Sequence, residues 1–342
     1  MDVTRRLLLQ GLASCSALAA MPSLALANTS LLLPFGQLPA PERIQRVLSA
    51  GAPADMLLLA LAPHLLAGLS SFELHQGYPW FSKEIGQLPK LGRLAGRAST
   101  LTLERLLTLK PQLILDCGNV NDTYRSAAKR TVAQTKIPYL LVSGRLSDSA
   151  AQLTQTGTIL GVRDHAAILA DMASQWLTEA GSFAQTLGRK LTFYTARGAK
   201  GLETGLTGSL HTEAIELLGL HNVAASEGRR GLAQVSMEQL LLWQPDIIIA
   251  QDEVTWRHIM QTPQWQGIRA VKQQQVLLYR RFPFGWLDAP PGVNRLLGMR
   301  RLQAHLDKRL QAGFKADMQQ FFQLFFHSHL SDKHYHALVP QI

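Results

Sequence analysis

Thr102-Leu103-Glu104-Arg105-Leu106-Leu107 runs on to Pro111 and the apolar stretch Leu113-Ile114-Leu115. Ser236-Met237-Glu238-Gln239-Leu240-Leu241 runs on to Pro245 and Ile247-Ile248-Ile249. In each copy a hydroxyl residue stands two places before a Glu, and a Pro follows that Glu seven places later. The hydroxyl residue reads as a helix N-cap, with the Glu in the first turn facing the positive end of the dipole. The Pro ends the short helix and passes the chain to a buried strand. One such unit is ordinary α/β punctuation. Two copies, at 102 and 236, predict two lobes of similar build in one chain.

Around the first copy, strands alternate with helices. Residues 34–42 read as an irregular entry, 43–50 as a strand, 54–62 as a helix and 65–69 as a second strand. An aromatic loop with Phe72, His75, Tyr78, Trp80 and Phe81 precedes the unit; a helix over 125–134 and a strand over 139–142 follow it. Residues 149–187 differ in kind, being dominated by Ala, Leu, Gln and Glu. From Asp164 they predict one long helix, with Ile168, Met172, Trp176 and Leu177 on its apolar stripe. Its place midway between the repeats predicts a rigid connector. The α/β rhythm then restarts with a strand over 191–196 and a helix over 210–218 stopped by Gly219. After the second copy come a strand at 276–279, a helix opened by Pro290-Pro291 and running to about His305, and an amphipathic tail helix over 314–337 packed on the second lobe.

A chain of 342 residues exceeds one small domain. Its hydrophobic fraction of 46% suffices for cores, and 17% charged is too low for disorder. The net charge of +10 comes from dispersed basic residues, which argues against nucleic acid and for attraction of an anionic small ligand. Arg5-Arg6 precedes an apolar stretch that closes with Ala25-Leu26-Ala27, so residues 1–27 read as a signal peptide, with a twin arginine that suggests the export route for folded proteins. Two arginines also suit an ordinary basic leader. Leu12-Ala13-Ser14-Cys15 resembles a lipoprotein cleavage box, but lipid anchoring at Cys15 would leave an oddly apolar mature start. The expected location is the periplasm, with no segment after the leader able to cross a membrane. If Cys15 leaves with the leader, Cys117 has no disulfide partner; following an apolar strand, it reads as a buried thiol.

Arg46-Val47-Leu48-Ser49-Ala50-Gly51, the turn from Leu88-Pro89 to Leu91-Gly92, and Leu103-Glu104 through Lys110-Pro111 resemble the metal-chelate class of periplasmic substrate-binding proteins. So do Gly208-Ser209-Leu210-His211-Thr212-Glu213 with Gly219 and Asn222-Val223-Ala224, Val235 through Asp246, and Asn294-Arg295-Leu296-Leu297-Gly298. The resemblance covers roughly residues 43 to 305. It implies an α/β fold of two Rossmann-like lobes with mainly parallel sheets joined by a single long α-helix. The expected boundaries are 28–162 for the N-terminal lobe, 163–188 for the connecting helix, 189–312 for the C-terminal lobe and 313–342 for the amphipathic tail.

That class serves ABC importers for ferric siderophores, haem and cobalamin, with relatives for other metal chelates and molybdate. The resemblance therefore implies a monomeric extracytoplasmic binding protein with no cofactor, which captures a metal complex and delivers it to an ABC permease in the inner membrane. A ferric-siderophore-type complex is the first expectation; molybdate, a nickel or cobalt chelate, haem and cobalamin are the alternatives. In the class, an acidic residue on top of each lobe docks onto arginines of the permease, and Glu104 and Glu238 stand where those carboxylates stand. Complementing a helix dipole would not by itself require Glu at matching positions in both lobes.

Ligands of open α/β sheets gather beyond the carboxyl ends of the strands. That rule selects Tyr78, Trp80, Arg93 and Arg97, with Phe72 and His75, in the first lobe, and Arg197, Arg280 and Trp286, with Phe284, in the second. Arginine forks suit oxyanions and aromatic faces cover conjugated parts. Arg280 and Arg281 are adjacent on an extended stretch, so at most one of them faces the ligand. Tyr78 and Trp80 could equally cap the first lobe's core. Direct metal ligation is not expected: His64, His75, His211, His221 and His258 are scattered, and His327, His329, His334 and His336 crowd an exposed tail. No Gly-x-Ser-x-Gly elbow, Walker A loop, zinc-hydrolase motif or dinucleotide fingerprint occurs, so an enzyme is not expected. A chelate-processing enzyme or a sensor on the same scaffold is the more distant alternative.

Overall fold

The computed structural model describes residues 31–74, 81–95, 99–187, 190–225, 229–281 and 284–339. In it the repeated stretch builds the same object twice. Thr102 Oγ1 accepts from the Arg105 N–H at 3.2 Å and opens helix Leu103–Leu109. Ser236 Oγ accepts from the Gln239 N–H at 3.2 Å and opens helix Met237–Trp243. Each helix closes on a left-handed residue directly before the proline, Lys110 at φ 47° and Gln244 at φ 45°. The polar residue after each proline ties down the neighbouring strand. Gln112 Oε1 accepts from the Arg46 N–H at 2.7 Å, and Asp246 Oδ2 accepts from the Thr192 N–H at 2.9 Å.

Strands β1 Leu32–Phe35, β2 Val47–Ser49, β3 Leu113–Gly118 and β4 Tyr139–Ser143 form a sheet in the order β1-β4-β3-β2, parallel except for β1. Strands β5 Thr192–Ala196, β6 Glu203–Gly205, β7 His221–Asn222, β8 Leu232–Gln234, β9 Ile247–Ala250 and β10 Val276–Leu278 follow. The second sheet, β10-β9-β5-β7, is wholly parallel, and β6 pairs antiparallel with β8. Both β3 and β9 are buried along their whole length, as strands covered on both faces must be. The fold is thus α/β, two lobes with mainly parallel sheets.

Helix Arg163–Thr186 joins them, about 36 Å long at 1.5 Å per residue. Its buried stripe is Ala166, Leu169, Ala173, Trp176, Ala180 and Phe183. Ile168, expected on that stripe, is 52% exposed because it lies one residue out of register with it. Helix Ser149–Leu160 packs so closely on the connector that a Cβ on Gly157 would sit 2.2 Å from Ala166 Cβ. On another side, buried Arg300 bonds Glu179 of the connector at 2.5 Å and Asp317 of the tail at 2.6 Å.

Several elements depart from the sequence reading. The entry segment holds β1, whose Pro34 argues against a strand until one sees that it lies on a sheet edge, where the missing N–H does no harm. The strand expected over 43–50 is only Val47–Ser49, after a 3-10 turn at Pro41–Arg43. Residues 65–69 make two isolated bridges, Leu66 to Val47 and Leu69 to Lys90, because Gly68 at φ 155° turns the chain between them. The helix expected over 210–218 is one turn, Glu213–Glu216, and the one expected to start at Pro290-Pro291 starts at Arg295. The tail is two helices, Phe314–Phe325 and Asp332–Leu338, the second opened by Ser331 accepting from the His334 N–H. The first of them packs on helix Ala52–Leu61 of the first lobe as well as on Arg295–Leu306, and the His327 Nε2–H donates to Ala60 O at 3.1 Å.

Candidate functional site

The loops after β3 and β4 face the turns around Gly208–Leu217 and Arg230 across a cavity of about 790 Å³. The first lobe contributes Asn119, Asn121, Ser143 and Arg145; the second contributes Ser209, His211 and Arg230. Asn121 Oδ1 also accepts from the Tyr124 N–H at 3.2 Å, so the positive end of helix Asp122–Thr135 lies at the wall. The two strand-end loops meet backbone to backbone. The Gly144 N–H donates to Gly118 O at 2.8 Å, and a Cβ on Gly144 would lie 2.5 Å from Gly118 Cα, so only glycine fits there.

Charge in the cavity divides into committed and open groups. Glu213 accepts from the Leu146 N–H at 2.8 Å and the Ser147 N–H at 3.2 Å, and pairs with Arg295 at 3.0 Å. Glu216 accepts from the Gly208 N–H at 3.1 Å and the Thr212 hydroxyl at 3.0 Å; burial raises its pKa above the usual carboxylate range. Both acids are therefore held by the protein itself. Arg145 and Arg230 are exposed on opposite walls, and neither has a carboxylate partner among the described residues. The open charge is positive, which suits an anionic ligand gripped from both lobes.

The structure places the expected ligand residues in different settings. Arg197 stands beside the cavity rather than in its lining. It pairs with Glu203 at 3.0 Å and with buried Asp288, which also accepts from His211 Nδ1 at 2.6 Å. It therefore braces the carboxylate that orients His211. Trp286 belongs to the core: it is 1% exposed and its Nε1–H donates to Arg280 O at 2.7 Å. Arg280 bonds Glu253 and donates to Ala337 O at 3.1 Å, in a separate cavity of the second lobe. Phe72 and Phe284 meet at 5.7 Å, and buried Phe284 packs on Phe326 of the tail at 5.0 Å. Arg93 sits in a loop that crosses the carboxyl end of β2, where the Leu94 and Ala95 N–H groups both donate to Ala50 O at 2.9 Å. Tyr78, Trp80, Arg97 and His75 lie outside the described residues.

Asn119, Asn121, Arg145 and Arg230 were not singled out from sequence. The signal was available for three of them: Asn119 and Asn121 follow β3 and Arg145 follows β4, which is where the strand-end rule points. Cys117 is buried, and burial first, then the charge of Asp116, pushes its thiol up to about 12, so it is inert as expected. Among the described residues no group of three or more His, Cys, Asp or Glu could hold a metal ion, and no helix is long and apolar enough to cross a membrane.

Two buried acids lie near the carboxyl ends of β2 and β3. Burial pushes Asp55 up to about 7 although Ser70 donates to it from both N–H and hydroxyl. Burial pushes Asp116 up to about 6 against the hydrogen bond from the Tyr139 hydroxyl at 2.9 Å. Both carboxyls hold protons more tightly folded than unfolded. Their stabilising contribution is full below the ordinary value of 3.8 and is lost as pH rises through about 6 to about 7. Thermal unfolding of Asp55→Asn, followed from about pH 5 to about pH 8, should therefore show a flatter fall of stability with rising pH than the parent. Identical slopes would remove Asp55 as a source of that dependence.

Comparison with known proteins adds the family. No curated protein matches the chain. Among solved structures, an ABC transporter solute binding protein from Sulfurospirillum deleyianum superposes with a TM-score of 0.79 at 26% identity, over 89% of this chain and 96% of that one. The molybdate periplasmic binding protein of a Haemophilus influenzae ABC transporter superposes at 0.67 with 20% identity, over 86% and 96%. The periplasmic vitamin B12 binding protein of Vibrio cholerae superposes at 0.61 with 21% identity, over 80% and 99%. The last two likenesses are evidence of fold alone. Residues 82–281, more than half of the chain, match the family described as periplasmic binding protein. That match, on a two-lobed fold of the same build, shows that the chain belongs to the periplasmic binding protein family, the extracytoplasmic partners of ABC transporters.

Proposed function

We propose that this protein captures an anionic metal complex in the cavity between its lobes and delivers it to an ABC permease. The carrying observation is the pair of arginines, Arg145 and Arg230, open on opposite walls of a cavity of about 790 Å³. That volume lies within the usual range for small-molecule sites. A chelate supplies its own metal ligands, so the protein needs donors for the chelate's anionic groups, and Asn119, Asn121, Ser209 and His211 stand beside the arginines. A ferric-siderophore-type complex remains the first candidate, ahead of molybdate, a nickel or cobalt chelate, haem and cobalamin. In this reading residues 1–27 are the export signal.

Calorimetric titration of residues 28–342 with ferric chelates, nickel and cobalt chelates, haem, cobalamin and molybdate tests the reading. One ligand should bind saturably, and Arg145→Ala and Arg230→Ala should each weaken it about tenfold, the worth of one charge-assisted hydrogen bond. Affinity unchanged in both variants would move the site elsewhere, and failure of the whole panel would remove the metal complex as the ligand.

A further inference from the structure

A second cavity, of about 690 Å³, opens on the second lobe between the edge strand β10, helix Glu253–Gln261 and helix Arg295–Leu306. It shares no lining residue with the cavity at the strand ends. We propose that it is a separate binding site for a small organic carboxylate, an acid group carried on an apolar body.

The walls set the body of the ligand. Val276, Leu277, Leu278 and Trp256 supply an apolar surface. The charge sets its head group. Arg257, Arg280 and Arg301, with His305, face one acid, Glu253, and that acid already bonds Arg257 at 2.9 Å and Arg280 as well. Arg301 is 5% exposed, with its guanidinium 4.2 Å from the Tyr279 ring centre and 4.7 Å from that of Trp286. No described carboxylate pairs with it. A buried charge without a counterion is costly, and an anion from outside would supply one.

The unfilled hydrogen bonds carry the same sign. Among the lining residues, the buried polar side-chain atoms without partners among the described residues are the Tyr279 hydroxyl, Arg280 Nε and Arg301 Nη1. All three can donate, and burial pushes the phenol's pKa up, so it keeps its proton. Each is withdrawn from solvent, so an acceptor reaches them only by entering the wall. A carboxylate offers about four acceptor sites for such donors.

An added peptide strand fits less well. The carbonyls on the open side of β10 are taken, since Trp256 Nε1–H donates to Val276 O at 3.2 Å and Arg301 Nη2–H to Leu278 O at 3.0 Å. The edge is closed to further pairing at those positions.

The test is calorimetric titration of the folded protein with benzoate and octanoate and with the corresponding neutral amides. At least one carboxylate should bind saturably and its amide about tenfold more weakly or not at all. Arg301→Met should abolish the binding. Because Arg301 also packs on two aromatic rings, Tyr279→Phe is the second variant: it removes one hydroxyl, should leave the melting temperature unchanged and should weaken the carboxylate about tenfold. Arg230→Ala, in the other cavity, should leave it unaffected. The proposal falls if neither acid saturates, if acid and amide bind alike, or if Arg230→Ala weakens the acid while Tyr279→Phe does not.

Discussion

Arg295→Met is expected to lower stability by about 3–5 kcal/mol, the range for removing one partner of a buried ion pair. The Arg295 side chain is 1% exposed. Its Nη1 donates to Leu210 O at 2.7 Å and to Glu213 at 3.0 Å, its Nη2 to Gly144 O at 2.6 Å, and its Nε to Gly292 O at 3.0 Å. Glu213 in turn receives the Leu146 and Ser147 N–H groups of the first lobe. One guanidinium and one carboxylate thus fasten the turn after β4 to the turn around Leu210, at the wall of the candidate site. Methionine fills much of the space but leaves the Leu210 and Gly144 carbonyls without the guanidinium donor and Glu213 without its cation. A domain holds only about 5–15 kcal/mol in total, so the loss is a large fraction. Urea unfolding measures it, and a difference under about 1 kcal/mol would refute the role assigned to the pair. Adding Glu213→Gln should recover part of the loss, because the stranded carboxylate is then gone.

The second large effect falls on transport rather than stability. Glu104→Arg with Glu238→Arg should abolish uptake in cells while the purified double variant keeps its ligand affinity and melting temperature. Both glutamates are exposed in the first turn of the repeated helix. Each is followed three residues later by an exposed leucine, Leu107 at 48% and Leu241 at 36%. Neither carboxylate pairs with a cation among the described residues, and the caps Thr102 and Ser236 survive the change. Reversing both charges therefore alters what a partner meets while sparing the fold, and charge complementarity governs orientation and encounter. Normal uptake by the double variant would end the docking assignment.

The repeated unit was legible in the sequence because its signals are local: a hydroxyl cap, a Glu in the first turn, a proline and an apolar run. The connector was legible for the same reason, since 24 helical residues carry a continuous stripe. The edge strand β1 was hidden by Pro34, whose harmlessness depends on where the strand sits in the sheet. The aromatic residues were harder to read for a different reason. Phe284 and Trp286 lie beyond the end of β10, and nothing nearby in the chain distinguishes a ring that meets a ligand from one packed into the core. That choice is made by Phe326 and Arg301, far away in sequence or across the lobe. The asparagines of the candidate site are short and unremarkable, and only the strand-end rule applied without a preference for aromatics would have found Asn119, Asn121 and Arg145.

The tail also fixes when the first lobe can be finished. Phe314–Phe325 lies on helix Ala52–Leu61, whose residues from Ala54 to Leu61 are all buried, yet it is synthesised after every strand of both sheets. Until it emerges from the ribosome, one side of an apolar helix made early stays uncovered. A nascent chain stopped before Phe314 has the residues for both sheets and still presents a sticky face to chaperones. Completion of the first lobe thus waits for a segment translated after the strands of both sheets.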